Sequence, residues 1–542
     1  MTILGISNAH DSNVCVIRDG KVLVHVEKER LTRIRYDVGS MEEFVPMILN
    51  SIGLTINDID LVATSTPVWE GLTTTGQMKD GEYKDAMGWS QGEIEVCGRT
   101  IPAYNIAHHL GHLSVAYYLS PFKEADVLSI DGGGNYTFGL LCKASDNKFE
   151  LIRDLKEQNL GWFWNALAGR IFGSMDAAGK VMGLAPYGKP IYVQTLYNEY
   201  GRNVEGVRCL FMKDFPDHTK PIPFSAIGHK TPAKQLTKEE EDMSSSLQKI
   251  TDDMAIDLLK NFMPAERRSK NLCISGGVAL NCVMNEAIRK TKLYEDIYVP
   301  SAPNDAGLSM GFGLYLWHNI LGHSKEVCSN WHPYRGMPHT KEEMQIAIDF
   351  AIEHKLKVQH LPSEDIQNEA VVELLIQQKI VGVHRGRSES GPRALGHRSI
   401  VADPRNPKMK DIINAKVKFR EAFRPFAPSV LIEKTNELLD FDGYSPYMSF
   451  APKCRDNADA MMAATIHVDR SARLQTADPY NNPDFYSLIT AFYKRTGVPV
   501  VLNTSLNTKG EPINETPLHS VDTLLKSDLD ALLVDEYLFT KE

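Results

Sequence analysis

Two stretches of the chain repeat one hydrophobic plan. ILGISNAHDSNVCVIRDGKVLVHVE, residues 3–27, reads as strand, polar turn, strand, Asp-Gly turn, strand. VLSIDGGGNYTFGLLCKASDNKFELI, residues 127–152, follows the same series, with Gly132, Gly133 and Gly134 in its first turn. Each predicts a β-hairpin meander whose first turn carries Asp and small residues. Duplicated hairpins of this kind characterise the actin-like and sugar-kinase architecture, in which two ribonuclease-H-like halves face each other over a nucleotide. The predicted class is therefore α/β. Fold analogy of this sort predicts no activity.

Downstream, the polar stretch from Lys213 to Asp242, with prolines at 216, 221, 223 and 232, reads as a surface excursion. A helix is predicted over MSSSLQKITDDMAIDLLKNFM, then strand-turn-helix over NLCISGGVALNCVMNEAIRKT. Gly276-Gly277 lets the backbone approach a ligand at a helix start, although a plain structural turn is as common. IYVPSAPNDAGLSMGFGLYLW predicts another strand, with Asn304-Asp305-Ala306-Gly307 opening a helix; Asp305 alone reads equally as an N-cap. The pattern breaks into a Pro/Gly/His connector around Ser329 to Thr340, which places one domain at 1–330 and a second at 341–542.

A chain of 542 residues exceeds one hydrophobic core, so two or three domains are expected. The formal charge of -10 argues against a general nucleic-acid binder. The eight cysteines form no Cys-x-x-Cys pair and read as buried thiols of a reducing cytoplasm. No run of eighteen apolar residues exists and the N-terminus enters a strand at once, so neither a secretion signal nor a membrane span is expected.

Against this background two clusters carry candidate chemistry. His108, His109 and His112 lie on one helical run, and imidazoles at i and i+4 share a helix face, so His108 and His112 can grip one metal ion. Asp131, at the end of the run VLSI, is placed to add a carboxylate. The alternative is a histidine-rich helix face followed by a polar turn. The second cluster runs from Arg385 to Arg424, where seven arginines and four lysines face four acids, a surplus of seven positive charges in an otherwise acidic protein. Guanidinium groups beside glycines suit phosphate or carboxylate held in forked hydrogen bonds. A solvated basic face or an RNA-binding strip is the competing reading.

GISNAHDSNVCVI, IAHHLGH, IDGGG, AGKVMGLAPYG, SGGVALN, NDAG, GPRALGHRS, KFREAFRPFAPSV and NTSLN occur in this order along nearly the whole chain. The set resembles the O-carbamoyltransferase family of the nodulation-factor, cephamycin and tobramycin carbamoyltransferases. The resemblance implies an N-terminal domain similar to the Kae-type tRNA threonylcarbamoyl transferases and a C-terminal domain similar to the YrdC threonylcarbamoyl-adenylate synthases. It implies that carbamoyl phosphate and ATP give carbamoyl adenylate in the second domain, and that the first passes the carbamoyl group to a hydroxyl of a small natural product.

Residue by residue, the resemblance puts His108, His112, Asp131 and Asp305 on the metal ligands, with iron(II) expected and zinc or manganese compatible. His109 falls outside that set but keeps i,i+3 geometry with His112. His10 matches the general base. Arg393, Arg398, Lys418, Arg424, Arg473, Asn503 and Ser505 match positions holding Mg-ATP and carbamoyl phosphate. Lys180, Gly183, Gly276, Gly277, Asn281 and Gly133 would line the adenylate pocket. Two departures stand out. Ser388-Glu389-Ser390 replaces the usual Met-Glu-Phe, which is expected to reshape the pocket mouth, and Arg33 and Arg35 compete for the place of a lysine. The segments Asp80 to Gly98 and after Lys213 are expected to shape the acceptor cleft. Expected partners are small molecules, with no nucleic acid or membrane and a homodimer as the default. The rival reading is a tRNA threonylcarbamoyl-transferase-like enzyme.

Overall fold

The computed structural model describes residues 1–65, 85–212, 235–326 and 331–541. The first sheet contains β1 (Thr2–Ser7), β2 (Asn13–Arg18), β3 (Lys21–Glu27), β4 (Leu61–Thr64), β5 (Trp89–Val96) and β6 (Arg99–Ile106), in the order β3-β2-β1-β4-β6-β5. Its hairpins β1-β2-β3 are antiparallel, whereas β4 and β6 join in parallel. β1 is buried along its whole length, as a central strand covered on both faces must be.

The second half repeats this topology. β7 (Glu124–Ile130), β8 (Gly139–Ser145) and β9 (Lys148–Asp154) form the meander. A separate hairpin follows, β10 (Gly201–Val204) with β11 (Val207–Leu210). β12 (Asn271–Ser275) and β13 (Asp296–Tyr298) then complete the order β13-β12-β7-β8-β9, with β12 parallel to both neighbours. Read from the meander outward, both sheets run third, second, first, then two parallel strands, β4 and β6 in one and β12 and β13 in the other; the first sheet adds β5 antiparallel at its edge. That is the duplicated ribonuclease-H-like plan of the actin-like class.

The halves meet through two helices. His108–Tyr118 is buried at every residue, and it packs on the helix Leu308–Tyr315. Their backbones touch: a Cβ on Gly311 would lie 2.1 Å from the Gly111 carbonyl oxygen, so no larger residue fits. This approach sets the turn before Leu308, which carries Asp305, beside the first turn of the histidine helix.

The remaining strands belong to one mixed sheet: β14 (Lys357–His360), β15 (Val381–His384), β16 (Arg398–Ala402), β17 (Ala427–Leu431), β18 (Gln475–Ala477), β19 (Val500–Ser505), β20 (Ala531–Val534) and β21 (Tyr537–Thr540). Their order is β14-β21-β20-β15-β16-β19-β17-β18. Helices Lys341–Glu353 and Pro517–Lys526 cover one face, and Glu364–Ile376 and Pro483–Thr496 the other.

One expected boundary moves. The long helix starts at Lys238, inside the stretch read as an excursion, because Thr237 and Glu240 form a capping box and Glu239, Glu240 and Glu241 favour a helix N-terminus. Residues 213–234 lie outside the described residues, as do 80–84 of the other segment assigned to the acceptor cleft. The described remainder of that segment includes the edge strand β5, and none of residues 85–98 lines the cavity described below. Among the described residues no helix is long and apolar enough to cross a membrane. The seven described cysteines are free thiols.

Candidate active site

His108 and His112 project from the start of their helix toward two carboxylates. His112 Nε2 lies 2.8 Å from Asp131 Oδ2 and 3.3 Å from Asp305 Oδ1. His108 Nε2 lies 3.4 and 3.5 Å from the same oxygens. One donor atom from each residue falls within 4.8 Å of all the others. Metal–ligand bonds of about 2.0–2.2 Å hold neighbouring donors about 3–3.5 Å apart, so this nitrogen and oxygen set fits one divalent cation. Asp305 does not act as an N-cap; its turn has no side-chain cap, and its carboxylate faces the imidazoles. Burial raises the Asp131 pKa, yet His108 and His112 hold it well below the usual carboxylate range.

His109 turns elsewhere. Its Nδ1 lies 2.8 Å from Ser129 Oγ and its Nε2 3.2 Å from the Thr137 carbonyl, which fastens the helix to β7 and the turn after it. The glycine pair after β12 serves the same region. Gly276 has φ of +84°, and a Cβ there would lie 2.2 Å from the Ile130 carbonyl oxygen. A Cβ on Gly277 would reach to 2.9 Å from Asp131 Oδ1.

His10 sits in the turn between β1 and β2. Asn304 Nδ2 donates to Asp11 Oδ2 at 2.7 Å and Asn13 Nδ2 to the Asp305 carbonyl at 2.9 Å, so this turn is tied to the turn that carries Asp305. The His10 ring is half exposed, with Nδ1 3.3 Å from Asp11 and Nε2 3.4 Å from Asp176. Burial lowers its pKa, but the two carboxylates win and push it up to about 11. Tyr36 stacks on the ring at 5.6 Å.

The cation cluster is built on the third sheet. Glu389 holds its first loop by accepting the backbone N–H groups of Leu395, His397 and Arg398. Lys418 donates to the Ser505 carbonyl, to Ser505 Oγ at 3.2 Å and to Asn507 Oδ1 at 2.6 Å. Burial, with Arg420, Arg424 and Arg35 nearby, drives its pKa well below the lysine range. Burial and the neighbouring Arg393 and Arg424 push Arg473 down to about 9. Among the described residues no hydrogen bond or ion pair engages the guanidinium of Arg393 or Arg473. Unpaired cations crowded together call for an anion.

One cavity of about 940 Å³ joins the two clusters. It is lined by His10, Asp131, Gly133, Lys180, Gly183, Gly277, Asn281 and Asp305 from the first part of the chain. Arg393, Lys418, Arg424, Arg473, Asn503 and Ser505 line it from the second. His108 and His112 stand behind the two aspartates. Asn281 spends its carbonyl capping the helix Cys282–Lys290, and Lys180 Nζ pairs with Glu421 at 2.8 Å. Arg398 and Gly276 are not on the wall. Arg398 is 0% exposed and donates to the carbonyls of Arg385, Gly386, His397 and Glu515, so it braces the scaffold.

Both departures from the family pattern find their place. Ser388 and Ser390 are buried away from the cavity, donating to Glu515 Oε2 at 2.6 Å and contacting His25 Nδ1 at 3.0 Å, so the expected change at the pocket mouth does not arise from them. Arg33 has φ of +62° and donates to the carbonyls of Pro512 and Ile513 and to Asn514 Oδ1. That leaves Arg35, with Tyr36, on the cavity wall. Sequence reasoning missed Asp11, Asp176 and Arg420 on this wall. Asp11 and Arg420 lay inside quoted motifs, Arg420 also within the counted arginine cluster, without being assigned to the site; nothing in the sequence around Asp176 marks it as a partner of a residue 166 positions away.

The chain matches the carbamoyltransferase N-terminus family model over residues 2–72 and 95–314 and the carbamoyltransferase C-terminus model over 372–541. Nodulation protein NolNO of Sinorhizobium fredii is 34% identical over 98% of this chain and 79% of that protein. Nodulation protein NolO of Bradyrhizobium diazoefficiens is 35% identical over 80% of this chain and 78% of that protein. Among solved structures, full-length HypF in its phosphate- and nucleotide-bound form is 14% identical, with a TM-score of 0.33 over 59% of this chain and 46% of that one. A structural likeness this distant carries no argument about activity. With both family models matched and relatives aligned along most of its length, the chain belongs to the carbamoyltransferase family and is a carbamoyltransferase.

Proposed function

We propose that the chain is an ATP-dependent O-carbamoyltransferase that makes carbamoyl adenylate from carbamoyl phosphate and ATP, then transfers the carbamoyl group to a hydroxyl of a small natural product. The observation that supports this most is the shared cavity, with unpaired guanidinium groups at one end and the His-Asp group at the other. Residues 1–330 are the transfer domain and 341–542 the YrdC-like adenylate-forming domain. In support, every strand through Tyr298 belongs to the first three sheets and every strand from Lys357 to the last.

At the basic end, Arg393, Lys418, Arg424 and Arg473 bind the phosphates of Mg-ATP and carbamoyl phosphate. Water attacks the phosphorus of carbamoyl phosphate and breaks its bond to the carbamoyl oxygen, giving phosphate and carbamate, whose oxygen attacks the α-phosphorus of ATP and expels pyrophosphate. The cationic groups offset the charge that builds on the phosphoryl oxygens. Carbamoyl adenylate is labile in water, and a common cavity keeps it from bulk solvent on the way to the second step.

At the acidic end, His108, His112, Asp131 and Asp305 would hold a divalent cation, iron(II) in this reading, which when bound would supply Lewis acidity. The acceptor hydroxyl takes the place of Asp176 at His10 Nε2, a long contact that is readily exchanged. His10, protonated between its two carboxylates, gives its Nε2 proton to Asp176 as that side chain withdraws. Asp11 then orients the neutral ring through Nδ1, and Nε2 takes the hydroxyl proton as the acceptor oxygen attacks the carbamoyl carbon and the bond to the AMP oxygen breaks. AMP leaves toward Lys180 and Arg35. Incubating the protein with carbamoyl phosphate, ATP and a panel of hydroxylated natural products tests this. A mass gain of one carbamoyl group, dependent on both co-substrates, is expected; carbamoyl transfer that proceeds without ATP would overturn it.

A further inference from the structure

β3 and the helix turn after it touch both ends of the cavity. His25 lies inside the molecule with Nε2 2.7 Å from the Ala306 carbonyl oxygen and Nδ1 3.0 Å from Ser390 Oγ. The carbonyl can only accept, so Nε2 carries the hydrogen and Nδ1 accepts from the serine hydroxyl. Ala306 follows the metal-site residue Asp305. Ser390 lies three residues before Arg393, in the loop that carries the basic cluster. The imidazole therefore bridges the turn that carries Asp305 and the loop that carries Arg393, joining segments 281 and 365 positions away in the sequence.

The loop on its far side is held at several points. Glu27 Oε1, on the same strand as His25, accepts the Gly391 N–H at 2.7 Å. Arg30 donates to the carbonyls of Glu389 and Gly391, at 3.3 and 2.7 Å. Gly391 has φ of +100°, and a Cβ there would lie 2.2 Å from the Ser301 carbonyl oxygen, so the loop is seated against the segment that leads into Asp305. These contacts join the loop that carries Arg393, through Ser390 and the His25 ring, to the turn that carries Asp305.

We propose that His25 is a positioning residue shared by the two ends of the cavity, aligning Asp305 and Arg393 through Ala306 and Ser390. The proposal rests on the two-step reading above. It says that occupancy of the basic end changes how the His-Asp group holds a cation, and that the Ser390 hydroxyl is required for this. Binding couplings of this kind are reciprocal, so each site reports on the other.

The test uses full-length protein stripped of metal. Cobalt(II) affinity is measured by competition against a chelating dye, with and without magnesium-saturated ATP and carbamoyl phosphate, and the visible bands of the bound cobalt are recorded. Wild type is expected to change its cobalt affinity by about fivefold or more when the ligands are added. S390A is expected to bind cobalt but to lose that change and the accompanying band shift, and S390T, which keeps a hydroxyl, to regain both. H25Q is read in the same way should S390A fail to fold. An S390A or H25Q protein with the wild-type ratio, or a wild type whose cobalt affinity ignores the ligands, overturns the proposal. Carbamoyl-phosphate-dependent exchange of pyrophosphate into ATP is measured in parallel. Its absence from wild type overturns the adenylate-forming reading, whereas exchange without cobalt coupling overturns only the role of His25.

Discussion

The Nε2 atoms of His108 and His112 lie 3.0 Å apart, and each stands within 3.5 Å of a carboxylate oxygen of both Asp131 and Asp305. Hydrogen bonding satisfies such a foursome poorly, since two imidazole nitrogens and two carboxylates compete for few protons. A shared divalent cation satisfies all four.

The first prediction follows from that contrast. H112A and D305N should lose bound metal, with affinity falling by more than the roughly 10–100-fold that an outer partner costs. H109N should keep its metal, because His109 is spent on Ser129 and Thr137, and should lose about 1–3 kcal/mol of stability from the unpaired groups it leaves. Metal content by mass spectrometry and denaturant melts separate the two. Equal metal loss in H109N and H112A would put the wrong histidine in the site.

The unpaired guanidinium groups predict that anions stabilise this protein. Inorganic pyrophosphate at about 100 times its Kd should add about 2.7 kcal/mol to wild type. R473A should lose most of that gain in a thermal melt while its melting temperature without ligand is unchanged or higher, because burial among like charges depresses the arginine. Stabilisation of R473A equal to that of wild type would remove Arg473 from the phosphate site.

His10 supplies a pH prediction. Its pKa stands above the free-imidazole value, at about 11, so its ion pairs stabilise the fold fully below about pH 6.5 and the contribution is lost as pH rises toward 11. D176N removes one of the two carboxylates and should lower the ring pKa by about 1–3 units. Titration of the His10 ring protons by NMR reads this directly. An unchanged titration in D176N would mean that Asp11 alone sets the charge of the ring.

Packing between the halves is equally testable. G311A drives a methyl group onto the Gly111 carbonyl, 2.1 Å away, and should destabilise by about 1–3 kcal/mol or more. Since that helix contact also fixes the Asp305 turn, metal affinity should fall with stability. A stable G311A protein with normal metal content would show that the helices slide apart at no cost.

Much of this was legible in the sequence, for identifiable reasons. The duplicated meander showed because β1 to β3 and β7 to β9 keep their polar turns at matching places. The group His108, His112, Asp131 and Asp305 showed because each lies in a short local motif, IAHHLGH, IDGGG or NDAG, and folding brings them together. What the sequence hid depends on contacts between distant segments. Arg398 resembles its arginine neighbours in sequence, yet four backbone carbonyls claim it. Asp176 meets His10 only through tertiary folding, and the choice between Arg33 and Arg35 depended on a left-handed residue that turns one side chain toward Pro512. The helix start at Lys238 was hidden by a run of charge that reads as loop until its capping box is noticed.

The central claim is that one cavity houses two consecutive reactions with separate residues. Radiolabelled pyrophosphate exchange into ATP isolates the first of them. With carbamoyl phosphate present, exchange should proceed in wild type, persist in metal-stripped protein and in H10N, and fall by about 100–1,000-fold in R473A. Exchange that needs no carbamoyl phosphate, or that R473A sustains at the wild-type rate, would contradict the account.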